Sequence, residues 1–205
     1  MTEKRDKKAL KHLYKDAVLK AVIPTLKAPK PIVSDGVYQD LTKAIVYQQI
    51  STKAADNIYA RYLALIEFDV HNTAKPLAFD FDELRGVGLS RQKAGYVQNI
   101  AAFFTEEKIK EDFWEDKSDE EIIKYLTQVK GVGVWTVQMM LIFTLGRPDV
   151  FPIEDLAVRN AMKAVYGLTS EKKELRKELI EIANAWSPYQ SLGSRYMWAW
   201  WREHR

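Results

Sequence analysis

Asp155 closes the segment Leu145-Gly146-Arg147-Pro148-Asp149-Val150-Phe151-Pro152-Ile153-Glu154-Asp155-Leu156. Pro148 and Pro152 force an extended connection, and the aspartate falls where a new helix should begin. A carboxylate fixed at such a point has two uses. Its oxygen can satisfy helix amides, worth about 1 kcal/mol. Ionised, it can also stabilise positive charge developing on a bound substrate and orient an attacking water. Glu154 beside it reads as a solvated first-turn acid favoured by the helix dipole, or as a group that positions water or raises the basicity of Asp155.

A second constellation precedes it. Leu126-Thr127-Gln128-Val129-Lys130-Gly131-Val132-Gly133-Val134-Trp135-Thr136 lies between two apolar helical segments and reads as helix, tight turn, helix. Two glycines spaced by one residue allow positive φ and leave backbone N–H groups uncovered. The following helix adds its unpaired amides and positive dipole end, and together these make an anion site suited to a nucleic-acid phosphate. Lys130 adds a charge at the rim. For Gly-x-Gly in isolation, an ordinary helix connection with a glycine C-cap is the favoured reading. The second helix returns the chain from this turn, which brings Asp155 near whatever the hairpin holds.

The elements that must position these residues are helical. Apolar residues recur at three- and four-residue spacing almost throughout, as in Leu41, Ala44, Ile45 and Gln48, then Ala55, Ile58, Tyr59 and Tyr62. The class is all-α. Pro24, Pro29, Pro31 and Gly36 separate one N-terminal helix from the rest. Ser51 caps a helix running towards Phe68, and a loop follows around His71 to Pro76. Ser90 starts a helix through Phe104, and Ser118 with Glu121 forms a capping box opening a helix through Thr127. Gly86-Val87-Gly88 weakly echoes the hairpin glycines without establishing a repeat.

Composition bounds the rest. The 205 residues are 47% hydrophobic with six Trp, enough for a real core, and the charged residues balance to +3, so any nucleic-acid contact must be local. Lys4, Arg5, Lys7, Lys8 and Lys11 outnumber Glu3 and Asp6 at the start, a pattern that fits a solvated helix face. The absence of cysteine excludes disulfides, thiolate zinc sites, cysteine nucleophiles and cysteine-ligated iron–sulfur clusters. No apolar run approaches membrane-spanning length and the charged start is unlike a secretory signal, so no membrane partner is expected. The protein should stay where it is made: cytoplasmic and nucleoid-associated in a bacterium, nuclear in a eukaryote.

The hairpin, continued without a gap through Phe143 to the aromatic-Pro-x-x-Asp pattern of Phe151, Pro152 and Asp155, resembles the helix-hairpin-helix DNA glycosylase superfamily, in its 3-methyladenine DNA glycosylase II (alkylpurine) branch. The resemblance runs from about Leu41 to Trp201. It implies a two-lobed helical fold with an interlobe active-site cleft, one lobe of about residues 37–147 holding the hairpin and the other of about 1–36 plus 148–205. It implies Asp155 as catalytic carboxylate beside the DNA strand. Lys130, Gly131, Gly133, Val134 and Thr136 become the phosphate-binding hairpin. Double-stranded DNA containing damaged bases is the implied partner, and the protein is expected to act as a monomer.

Trp135 occupies the position where superfamily members that also nick the strand carry a lysine nucleophile, and an indole cannot form a Schiff base. The alkylpurine branch has a tryptophan here that lines the base pocket, although core packing would also explain it. Stacking a cationic purine on indole is worth about 0.5–2 kcal/mol. The implied activity is a monofunctional glycosylase that flips out and excises alkylated purines such as 3-methyladenine and 7-methylguanine, leaving an abasic site in base excision repair.

Further residues carry over from the resemblance. Tyr189, in Trp186-Ser187-Pro188-Tyr189-Gln190-Ser191, is the matching pocket aromatic, with Gln190 standing where an arginine is usual. Met139 and Leu156 line the pocket by position, or simply pack. Leu41 to Ser51 matches the early helix and two-glutamine turn: Gln49 is the carried-over wedge that fills the duplex, with Gln48 and Ile50 as neighbours. Gly88 to Ala94 resembles a structural signature, with Ser90 capping and Lys93 near the backbone. Tyr196, Trp198, Trp200 and Trp201 read as lobe packing. No cofactor is required, but the family also implies a structural monovalent cation, Na+ or K+, on the carbonyls of Thr127, Val129 and Val132. The rivals are a non-catalytic hairpin DNA-binding protein, a glycosylase for deaminated or oxidised bases, and a purely structural helical scaffold.

Overall fold

Six helix starts in the computed structural model, those after Asp16, Ser51, Asp80, Ser90, Ser118 and Asp155, fall where a capping side chain stands. The structure describes residues 2–30, 33–67, 69 and 72–205, with the backbone alone for 2–6 and 111. In chain order the helices are α1 Thr2–Leu13, α2 Ala17–Val22, α3 Val37–Tyr47, α4 Thr52–Leu65, α5 Phe81–Gly86, α6 Arg91–Glu106, α7 Asp119–Leu126, α8 Val134–Phe143, α9 Leu156–Val165, α10 Lys172–Trp186 and α11 Gln190–His204. Short 3-10 turns occupy Ile23–Thr25, Lys75–Ala78 and Glu111–Trp114. Among the described residues there are no strands, and no helix is long and apolar enough to cross a membrane.

Ser51, Ser90 and Ser118 cap α4, α6 and α7, the last with the full box to Glu121. The expected single N-terminal helix is two helices. Asp16 accepts the amides of Val18 at 2.8 Å and Leu19 at 3.0 Å, which starts a new helix where periodicity alone would continue the old one. Helix α4 ends at Leu65, short of Phe68; Phe68, His71 and Pro31 lie outside the described residues. So do the side chains of Lys4 and Arg5.

The chain divides into two compact units, residues 1–32 with 146–205 and residues 33–145. In the first, α9 packs on α11, and α10 packs on both. Its core joins Leu13, Leu19, Val158, Met162, Leu179, Trp186 and Met197. Trp186 is fully buried, and its indole N–H reaches the Tyr166 hydroxyl at 3.3 Å, which in turn donates to Asp16 at 2.7 Å. A buried polar handle is thus satisfied within the unit, as a buried indole requires. Helix α11 crosses this ring so closely that a Cβ on Gly193 would lie 2.5 Å from Trp186 Cε3.

In the second unit α3 packs against α4, α6 and α8, with α5 on α6 and α7 on α8. Leu41, Ile45, Ala94, Val97, Ile100, Val137 and Leu141 are buried, the three- and four-residue spacing of each helix turned inward. Gly88 and Gly131 both have positive φ, but in one Gly-Val-Gly triplet this is the second glycine and in the other the first, so the echo is not a structural repeat.

Candidate active site

Asp155 belongs to the first unit and caps α9. Its Oδ1 accepts the Val158 amide at 2.9 Å and the Trp198 indole N–H at 2.9 Å, and the residue is 8% exposed. Capping and chemistry are therefore compatible: the two donors fix one rotamer of the carboxylate at the positive end of a helix. The approach to it is stitched to the start of α11. Ser191 Oγ donates to the Arg147 carbonyl at 2.6 Å and accepts the Val150 amide at 3.0 Å, while the Ser191 amide donates to the Pro148 carbonyl at 3.0 Å. Asp149 accepts the Ser187 hydroxyl at 2.6 Å and the Gln190 amide at 3.3 Å.

Trp198 is the residue that sequence reasoning missed, having been read as packing. Its ring packs against the core, but its N–H serves the carboxylate. Trp198→Phe should retain packing and lose that donor. The expected result is about a tenfold lower kcat for base release with KM little changed, read by steady-state kinetics. An unchanged kcat would show that the Trp198 N–H is not needed to orient Asp155.

Glu154 pairs with Arg176 of α10, an exposed ion pair worth at most about 1 kcal/mol. Gln190 directs its side-chain amide to the Ala183 carbonyl at 3.1 Å, so the side chain that replaces an arginine ties α11 to α10. Tyr189 stands at the start of α11, half-buried, with His12 edge-on at 5.4 Å. Leu156, the first residue of α9, is 68% exposed.

The hairpin belongs to the second unit. Helix α7 ends at Leu126, the Val129 amide donates to the Leu126 carbonyl at 3.1 Å, and the Val132 amide donates to the Val129 carbonyl at 2.9 Å. Val129 and Val132 are buried as the apolar anchors of the turn. Gly131 has φ +109°, and an added Cβ would lie 2.3 Å from Tyr96 Cγ. Gly133 differs from expectation: it caps α8 in an extended conformation, φ −98°, with open space at its Cβ position. Only the first glycine is demanded by backbone conformation. The second supplies a cap without a side chain, so no capping side chain covers the first-turn amides of α8. A helix start of this kind can take an anion. The Lys130 carbonyl is held by Asn99 Nδ2 at 3.1 Å.

Val134 and Trp135 are 48% and 42% exposed in the first turn of α8, whereas Thr136 is buried. Core packing does not account for Trp135. Met139 and Thr136 line a cavity of about 230 Å³ with Lys43, Tyr47 and Phe143. Val129 O already accepts the turn's hydrogen bond, and among the described residues the Thr127 and Val132 carbonyls accept no backbone amide of the turn. These oxygens suit a hard monovalent cation.

The two-glutamine turn and the hairpin, far apart in sequence, share one cavity. Gln48, Gln49, Lys93, Tyr96, Gly131 and Gly133 line a space of about 350 Å³. Gln49 has φ +58°, and Ile50 beside it is 39% exposed. Lys93 lies against protein backbone, its ammonium 2.7 Å from the carbonyls of both Val46 and Gln48, and burial pushes it below the ordinary lysine range.

Comparison with known proteins accords with this arrangement. The sequence matches the HhH-GPD superfamily of base excision DNA repair proteins over residues 42–185. A putative DNA-3-methyladenine glycosylase of Bacillus subtilis is 31% identical over 178 residues, covering 83% of this chain and 61% of the relative. DNA-3-methyladenine glycosylase 1 of Schizosaccharomyces pombe is 33% identical over 164 residues, covering 78% of this chain and 71% of the relative. A solved S. pombe 3-methyladenine DNA glycosylase, in complex with abasic DNA, matches with TM-score 0.79 and 29% identity over 93% of this chain and 95% of that one. Hairpin, fold and sequence agree, and the chain belongs to the HhH-GPD superfamily of base excision DNA repair proteins.

Proposed function

We propose that this protein is a monofunctional DNA glycosylase that removes alkylated purines, 3-methyladenine and 7-methylguanine among them, from double-stranded DNA and leaves an abasic site. The observation that carries the reading is the fixed Asp155 carboxylate in a chain of this superfamily whose hairpin bears Trp135 instead of a lysine. Relatives named as DNA-3-methyladenine glycosylases support the substrate class.

The chemistry follows from charge. Alkylation makes the base cationic, so the base leaves with the electron pair of its glycosidic bond as a neutral purine and needs no strong acid. Positive charge develops on the sugar, where ionised Asp155 stabilises it and orients a water; the water adds to C1′ and gives up its proton. Trp135 offers an electron-rich face to the cationic base before release. The hairpin amides and Lys130 hold phosphate without reading sequence, and Gln49 fills the space the flipped base leaves. Na+ or K+ on the carbonyls of Thr127, Val129 and Val132 would supply further positive charge for phosphate. Asp155, Trp135 and Gln49 act as described with or without it.

Two measurements test this reading. A panel of single-lesion duplexes should show release of 3-methyladenine and 7-methylguanine well above hypoxanthine or oxidised bases; the opposite ranking would move the enzyme to a different substrate class. Borohydride added during turnover should trap no protein–DNA adduct, because Trp135 cannot form an imine. A specific adduct would overturn the monofunctional assignment.

A further inference from the structure

We propose that Lys93 is a positioning residue for the Gln48-Gln49-Ile50 turn, holding the wedge in its working conformation from within the protein. The proposal rests on the reading of Gln49 as the residue that enters the duplex. Helix α3 ends at Tyr47 and α4 begins after Ser51, so the chain must reverse within a very short segment. It does so by placing Gln48 at φ −57°, ψ 130° and Gln49 at φ +58°. A left-handed conformation is disfavoured for any residue with a Cβ, and it persists only where the surroundings over-determine it.

Lys93 supplies that constraint. Its ammonium is bonded at 2.7 Å to the carbonyls of Val46 and Gln48, the two residues that bracket the end of α3. Three donors on one point charge let it satisfy both oxygens at once, and a cation at a helix C-terminus also meets the negative end of the dipole. The lysine is itself anchored, because its amide donates to the cap of α6, Ser90 Oγ, at 3.2 Å. Its stem lines the same cavity as Gln49, Gly131 and Gly133, so one side chain ties the wedge turn to the helix start that faces the hairpin. Burial lowers the ammonium's affinity for its proton, a cost consistent with a charge committed to protein carbonyls. The serine cap thus gains a purpose beyond starting α6: it fixes the backbone that carries this ammonium.

The test compares base release from a methylated duplex with release from the same methylated strand unpaired, where there is no gap for a wedge to fill. The proteins are wild type, Lys93→Met, Lys93→Gln, Gln49→Ala and the Lys93→Met, Gln49→Ala double variant. Met keeps the packed stem without charge; Gln keeps a neutral donor and serves if the Met protein is poorly folded. The duplex-to-single-strand ratio should fall about tenfold in Lys93→Met, less in Lys93→Gln, and no further in the double variant than in Gln49→Ala. A normal ratio in both Lys93 variants beside a lowered one in Gln49→Ala would overturn the proposal, as would losses that multiply in the double variant. A normal ratio in Gln49→Ala would instead remove the wedge reading itself, and this proposal with it.

Discussion

Replacing Asp155 by asparagine should lower base release by at least about 100-fold while the fold and binding to abasic DNA persist. Asparagine is nearly isosteric and presents an oxygen that can still accept the Val158 amide and the Trp198 indole N–H, so the cap of α9 survives. What it lacks is negative charge. A neutral amide gives little stabilisation to a sugar cation, whereas ground-state contacts to DNA do not depend on it. Single-turnover release and binding to an abasic duplex separate the two effects. Asp155→Ala should add a fold defect of about 1 kcal/mol, because the cap is then lost as well.

The second large effect is structural. Gly131→Ala should destabilise the protein by about 3 kcal/mol or more, combining a disfavoured backbone conformation with overpacking. Gly131 has φ +109°, and the new methyl would sit 2.3–2.7 Å from three carbons of the Tyr96 ring. The closest atom is Cγ, at the root of the ring, which rotation about χ2 leaves in place. Gly133→Ala, one position from the same turn, meets open space at φ −98° and should cost less than about 1 kcal/mol, the difference between glycine and alanine at an N-cap. Thermal unfolding of the two variants side by side reads the contrast. Equal losses would contradict the assignment of both the backbone strain and the Tyr96 overpacking to Gly131.

The features legible in the sequence are those written in local chemistry. Serine caps, the Ser118–Glu121 box, the glycine at the hairpin and the aspartate after Pro152 are each fixed by residues a few positions apart, and the structure places each at the helix end or turn its chemistry demands. The misreadings have physical causes of the same kind. Asp16 interrupts a continuous periodic pattern by offering its own oxygen to two amides, which spacing cannot reveal. Gly133 shares the hairpin motif but needs no positive φ, because it stands at the N-cap of α8 in extended backbone.

Trp198 and Lys93 were less legible for a different reason. A tryptophan in an aromatic helix and a lysine in an amphipathic one are ordinary, and what distinguishes them is a long-range hydrogen bond, from Trp198 to Asp155 and from Lys93 to Val46 and Gln48. Such contacts are fixed only when helices dock. The residues proposed for the base pocket fared in between. Trp135 stands out by its exposure, while half-buried Met139 lines a small cavity and Leu156 lies largely open, so the proposal for these two rests on position along the helices.

The most direct test of the account is to incubate methylated duplex DNA with the purified protein and quantify the free bases by chromatography, with Asp155→Asn in parallel. The account predicts released 3-methyladenine and 7-methylguanine with the wild type and almost none with a folded Asp155→Asn protein that still binds abasic DNA. Near-normal release by that variant, or no free base from a wild-type protein that binds the DNA, would contradict it.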